Sequence, residues 1–142
     1  MGDSMIPEDV KGLLRDYIES FEQLEILLLL HRRRDDTWTP DSVASALSMN
    51  MDPDDAEAAL QDLCRRSLVD VRVDGAEQCY RYRQSAPGLE ATIHALSEGY
   101  EEHRLEVIKL MNKNAIERVR TSAIRTFADA FFVGGGGKKK DG

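Results

Sequence analysis

Arg72, Arg81 and Arg83 stand at alternating positions of two short segments in which apolar and polar residues alternate. A period of two puts such side chains on one face of a strand. Three guanidinium groups would then stand together on the polar side of a hairpin, an arrangement suited to gripping phosphate oxygens. Arg65 and Arg66 lie just before the hairpin, and Arg32, Arg33 and Arg34 further upstream. Other groupings offer less. His94, Glu98 and Glu102 share a helical face at i, i+4, i+8, but no Cys or further His completes a metal shell, so no metal or other cofactor is expected. Cys64 and Cys79 are the two cysteines. That is far too few for a disulfide scaffold, and a reduced pair fits a cytoplasmic setting. No glycine-rich phosphate loop opens a helix, since Gly134 to Gly137 fall in the terminal tail. A nucleophile elbow, zinc-ligand spacing and a Ser/His/Asp grouping are also missing, so no enzyme is expected.

The elements that must position these arginines belong to a chain of 142 residues with formal net charge −7, 42% hydrophobic and 32% charged. This is ordinary composition for one globular domain with an added extended element. An acidic chain binds phosphate only through a local basic patch. The charge is indeed uneven: residues 1–30 carry −5, residues 51–66 carry −3, residues 89–111 carry −3, and residues 112–142 carry +4. The opening residues lack a basic, then apolar, leader pattern. The longest apolar run, Ile26 to Leu30, is far short of the roughly 20 residues that span a bilayer. The expectation is a soluble cytoplasmic chain with no membrane partner.

Pro7, Glu8 and Asp9 open a first helix, with Val10, Leu13, Leu14, Tyr17 and Ile18 at helical spacing. Ser20 and Gln23 form a capping box for a second. Its run Ile26 to Leu30 is apolar on all sides and predicts a central helix. Thr39-Pro40-Asp41 and Asp52-Pro53 open a third and a fourth. Met49 to Met51 form the turn between them. Val69, Val71 and Val73, the Asp74-Gly75 pair, then Tyr80 and Tyr82 read as a hairpin with valines and tyrosines on its inner face. From Leu89 onward the pattern is helical. Leu89, Ile93, Leu96, Tyr100, His103, Val107, Leu110 and Asn114 step by four and three, an a/d seam with a bend expected near Asn112 to Asn114. Ile116, Val119, Ala123, Phe127, Ala130 and Phe131 form a second stripe.

Helix, turn, helix, then a two-stranded hairpin is the order of a winged helix-turn-helix. A first helix braces a second in the DNA major groove while the hairpin reaches phosphates. The segments Trp38 to Leu47, Ala56 to Leu60, Leu63, Ser67-Leu68-Val69 and Cys79 to Arg83 resemble the winged-helix transcription regulators of the MarR-like and PadR-like group. The motif covers residues 37–84. The resemblance implies a mainly α fold with a small β-hairpin wing and a long C-terminal dimerisation helix. It also implies a homodimeric regulator of transcription that binds double-stranded DNA. Carried onto this chain, Asp54, Asp55, Glu57 and Ala58 occupy the positions that meet bases, with Gln61 and Arg65 further along. The group favours Ser, Thr, Gln and Arg where this chain has acids, and Gly where it has Ser67.

The expected organisation is a winged-helix domain at 7–86, a helical dimerisation segment at 87–133 and a flexible basic tail at 134–142. The expected DNA contacts are Asp54, Asp55, Glu57, Ala58, Gln61, Arg65, Arg66, Arg72, Arg81 and Arg83. The seam from Leu89 to Leu110 would run about 30 Å, too long to bury against a small domain, which predicts a dimer interface of Leu89, Ile93, Leu96, Tyr100, His103, Val107 and Leu110. The other reading of the same residues is a winged-helix module that binds a protein through its acidic helix, without DNA affinity of its own.

Overall fold

A run of five apolar residues presents no polar face, so the helix carrying it must be surrounded. The computed structural model describes the backbone of residues 6–47 and 50–141, and side chains up to residue 130. In it, α2 (Phe21–Arg32) buries every residue from Gln23 to His31 except Glu25, which is half-buried. Ser20 caps this helix, its Oγ accepting from the Gln23 N–H at 3.1 Å. Around it pack α4 (Pro53–Arg65), α5 (Pro87–Gly99) and the second strand of the hairpin. The Gln23 amide reaches α4, donating to Asp62 Oδ2 at 2.9 Å. Helix α1 (Glu8–Asp16) lays Val10, Leu13 and Leu14 against α5 and α6 (Arg104–Asp141).

Helix α3 (Pro40–Ala46) opens on a full capping box, Thr39 with Ser42, and Pro40 in its first turn. It braces α4, whose inner stripe Ala56, Ala59, Leu60 and Leu63 is buried against α2 and α3. Truncating a residue such as Leu60 would cost about 2–5 kcal/mol in lost transfer energy and cavity. The turn expected at Met49 to Met51 lies partly outside the described residues, which resume at Asn50 in the left-handed region (φ 56°).

Strands β1 (Val69–Asp74) and β2 (Glu77–Tyr82) form an antiparallel hairpin, with Val69 opposite Tyr82 and Asp74 opposite Glu77. Gly75, at φ 67°, supplies the positive φ that a two-residue hairpin loop needs. Ser67 takes φ 64° at the α4–β1 junction, while Leu68 N–H bonds to Leu63 O at 3.0 Å to close the helix end. This left-handed position explains why glycine suits the site and why serine carries strain there. A third edge was not legible in the sequence. Trp38 and Tyr80 exchange two backbone hydrogen bonds of 2.7 Å, joining the segment before α3 to the hairpin.

Three expectations need correction. Of the three valines, only Val69 is buried; Val71 is 47% and Val73 67% exposed. The hairpin projects past the core, and only its base, with Tyr80 and Tyr82, is covered. The helical break falls at Tyr100–His103, after Gly99 and among Glu98, Glu101 and Glu102, rather than at Asn112 to Asn114. Crowded carboxylates at a helix C-terminus, next to a glycine, favour a break there. Finally, Ile93, Leu96, Tyr100 and Val107 are buried inside their own chain, and Leu89 and Leu110 pack against the same core. The bend lets α5 and α6 fold back separately onto α1 and α2, so the predicted dimer seam is consumed by the monomer. His103 is half-buried at the bend, beside Glu102 at 3.9 Å. Past Met111, the side of α6 that faces the body becomes polar. The backbone helix continues to Asp141, through the segment expected to be a tail; the side chains of residues 131–142 lie outside the described set.

Candidate nucleic-acid interface

The hairpin register sorts its side chains. Residues directly opposite share a face, so Val69, Val71 and Val73 lie with Tyr82, Tyr80 and Gln78, while Asp70 and Arg72 lie with Arg81 and Cys79. Arg83, two residues after Arg81, joins the second face. All three wing arginines are exposed. They line a groove of about 500 Å³ that also takes in Arg34 from the end of α2, together with Asp35 and Asp70. Four guanidinium groups against two carboxylates make it basic. Arg83 Nη1 lies 3.6 Å from Asp70, and Arg81 Nε donates to Arg34 O at 3.4 Å.

Below this groove is a buried polar cluster that was not foreseen from sequence. Glu90, in the first turn of α5, accepts from Tyr82 Oη at 2.7 Å, from the Ser85 N–H at 3.0 Å and from Arg34 Nη2 at 3.2 Å. The same Arg34 nitrogen lies 2.8 Å from His31 Nε2, and its guanidinium sits over the Tyr82 ring. His31 meets Tyr82 edge-on at 5.1 Å and His94 at 5.9 Å between ring centroids, and its Nδ1 is buried with no partner. Burial, then the charge on Arg34, pushes the His31 pKa down; Glu90 opposes this with a smaller effect. For Glu90, burial pushes the carboxyl up, but the Ser85 N–H, the Tyr82 hydroxyl, Arg34 and His31 outweigh it and the net pKa is lowered. Burial and the bond to Glu90 raise the Tyr82 phenol. The residues converge because α2, β2 and α5 meet at the wing's base. Arg34 was legible in the sequence as part of the run Arg32 to Arg34, which closes a helix and was a candidate to stand beside the wing arginines, but its place over Tyr82 and against Glu90 was not.

Helix α4 presents Asp54, Asp55, Ala58, Gln61 and Arg65 to solvent, with Glu57 half-buried. Arg65 pairs with Asp62 one turn back, and Gln61 Nε2 donates to Glu57 at 3.3 Å. Arg66 departs from expectation. Its Nη2 pairs with Glu19 at 2.9 Å and its Nη1 is buried, so it ties α4 to the α1–α2 turn and faces away from any ligand of the helix. Between α4, the start of α3 and the wing tip runs a second groove of about 550 Å³ lined by Asp41, Asp54, Glu57 and Glu77 with Gln61 and Gln78 and no basic residue. An arginine-rich groove on the wing and a carboxylate-rich groove whose acids come mainly from α3 and α4 thus flank the same hairpin. Cys64, on α4, is half-buried, and burial pushes its thiol up to about 11, which makes it a poor nucleophile. His94 lies 4.0 Å from Glu98 on the exposed side of α5.

Among the described residues no helix is long and apolar enough to cross a membrane. No family model matches the chain, and no curated protein matches it either. Two solved structures are similar to it. One is MepR, a transcription regulator of the Staphylococcus aureus multidrug efflux pump MepA, at 15% identity and a TM-score of 0.47, covering 85% of this chain and 90% of that one. The other is a mutant of MepR from a multidrug resistant S. aureus clinical isolate, at 16% identity and a TM-score of 0.47, covering 86% of each chain.

Proposed function

We propose that this chain is a winged-helix, DNA-binding regulator of transcription that works as a homodimer. The observation that carries the reading is the basic wing groove, where Arg34, Arg72, Arg81 and Arg83 meet on a hairpin that follows the packed α3–α4 pair in the order of a winged helix-turn-helix. In this reading the arginines bind phosphates, and Gln61, Ala58 and Arg65 on α4 face the major groove with the acidic Asp54, Asp55 and Glu57. A carboxylate accepts only from cytosine N4 and is repelled by the flanking phosphates, so most of the affinity comes from the wing.

Dimerisation is assigned to a different surface from the a/d seam. Ile116, Val119 and Phe127 are exposed by 58%, 70% and 70%. With Ala123 and Ala130 they form one stripe along α6, on the side opposite Asn114, Arg118 and Arg125. A second copy laying its α6 against this stripe would cover it, and a symmetric pair would present two wings to two half-sites.

The acidic groove between α4 and the wing supports a second reading, a module that binds a basic protein segment there. Fluorescence anisotropy of the full chain with double-stranded DNA from its own locus, at two salt concentrations, separates the two. Specific binding that weakens with salt supports the regulator. Absence of binding at low salt overturns it in favour of the protein-binding module.

A further inference from the structure

Arg34 belongs to two places at once. It lines the basic wing groove with Arg72, Arg81 and Arg83. Its Nη2 is also held at the base of the wing by two acceptors, His31 Nε2 at 2.8 Å and Glu90 Oε2 at 3.2 Å. A guanidinium only donates, so the first contact requires a bare lone pair on Nε2. His31 is therefore neutral in this state, with its proton on Nδ1, which is buried without a partner. A second proton can add only at Nε2. There it meets the Arg34 donor, and the same nitrogen stands 3.7 Å from Glu90 Oε2. A protonated His31 and Arg34 would then compete, as like charges in contact, for one carboxylate oxygen. The competition is unequal. His31 is buried within α2, whereas Arg34 is exposed just past its end with the groove beside it. Glu90 is kept in place by the Tyr82 hydroxyl and the Ser85 N–H on its other oxygen. The charged and titratable groups facing His31 are Arg32 and Arg34 from its own chain end, Tyr82 from β2, and Glu90 and His94 from α5.

We propose that His31 is a proton-operated latch on Arg34: neutral His31 holds the guanidinium at the base of the wing, and protonated His31 takes over Glu90 and turns Arg34 out into the groove, where it joins Arg72, Arg81 and Arg83 on phosphate. Burial and the Arg34 charge hold the His31 pKa below its ordinary 6.5, so the latch opens on the acid side of neutrality. The grip of the wing on a phosphate backbone strengthens as pH falls. The inference rests on the regulator reading for the nature of that backbone, DNA, while the movement of Arg34 does not depend on it.

The test has two arms on the full chain, both run from about pH 7.5 to about pH 5, where His31 charges and Glu90 stays ionised. The first uses no nucleic acid. Nuclear magnetic resonance of the isotope-labelled chain should show His31 protonated at Nδ1 and bare at Nε2 at the upper pH, and the Arg34 Nε–H resonance should move with the His31 titration. The second is anisotropy with a DNA duplex at several salt concentrations. Affinity should rise by about fivefold toward the lower pH, and the slope of log K against log salt should steepen by about one. His31→Gln offers Arg34 a carbonyl oxygen in place of Nε2 and takes up no proton, so it should lose both gains. Arg34→Gln, at an exposed position, should lose them too. The control His94→Asn, on the exposed side of α5, should keep them. A proton on Nε2 at the upper pH, an Arg34 resonance unmoved through the His31 titration, or the same gains in His31→Gln would overturn the latch. Arg34 movement without any change in affinity overturns this inference alone, and failure of the duplex to bind at either pH overturns the regulator reading with it.

Discussion

The Tyr82 hydroxyl donates a 2.7 Å hydrogen bond to Glu90 Oε1, tying the last residue of the wing to the first turn of α5. Glu90 is largely shielded from water and depends on its donors. Tyr82→Phe removes one of them without changing the ring. The expected loss is about 1–3 kcal/mol of unfolding free energy, read as a lower urea midpoint at unchanged m-value. An unchanged midpoint would mean that Ser85 and Arg34 satisfy the carboxylate without the tyrosine.

The His31 pKa is lowered from its ordinary 6.5, by burial first and the Arg34 charge second. The groups facing it are Arg34 and Arg32 from its own end of α2, Tyr82 from β2, and Glu90 and His94 from α5. Between the folded and unfolded pKa values the unfolded chain binds more protons, so stability rises with pH in that window. Stability should therefore fall as pH drops below about 6.5, by at most about 1.4 kcal/mol per pH unit from this group. Glu90 adds a second loss with the same sign but only at more acid pH, below the ordinary 4.5. His31→Asn should flatten the first window and leave the second. Equal slopes for both proteins between pH 7 and 5.5 would refute the assignment to His31.

The wing arginines and Arg66 should part company in DNA binding. Arg81→Ala and Arg83→Ala should each lower affinity and reduce the slope of log K against log salt by about one. Arg66→Ala should lower the melting temperature, since it breaks the pair with Glu19, and leave the salt slope unaltered. Anisotropy titrations at several salt concentrations read both effects. A slope change for Arg66→Ala equal to that for Arg81→Ala would show that the groove does not hold the phosphates.

Substitutions to aspartate distinguish the two apolar surfaces of the C-terminal helices. Ile116→Asp or Val119→Asp should dissociate the dimer into folded monomers, seen as a halved mass in light scattering with retained helical circular dichroism. Ile93→Asp places an unpaired charge in the core, at a cost of several kcal/mol, and should unfold the chain. A folded monomer from Ile93→Asp together with an intact dimer from Ile116→Asp would restore the a/d seam as the interface.

Much of the local structure was written in the residues themselves. Thr39-Pro40 and Ser20 with Gln23 act within a single turn of chain, so they locate helix starts in any context. The all-apolar run at Ile26 to Leu30 can only be central, and Asp74-Gly75 can only be a tight turn between its flanking strands. Ser67 marked a backbone requirement, and the left-handed φ is that requirement. What the sequence did not contain was which apolar stripe meets which neighbour. The heptad of Leu89 to Leu110 is compatible with a partner helix from another chain or with α1 and α2 of the same one. Only the bend after Gly99, which depends on the whole packing arrangement, decided for the latter. The same holds for charge. Arg66 and Arg81 are equivalent in one dimension, yet Glu19, 47 residues before Arg66, claims one, while the pleat of the hairpin turns the other outward into the company of Arg34. The Glu90 cluster exists because α2, β2 and α5, distant in the chain, meet at the base of the wing. Long-range proximity is set by the packed core and not by any local preference of the residues involved.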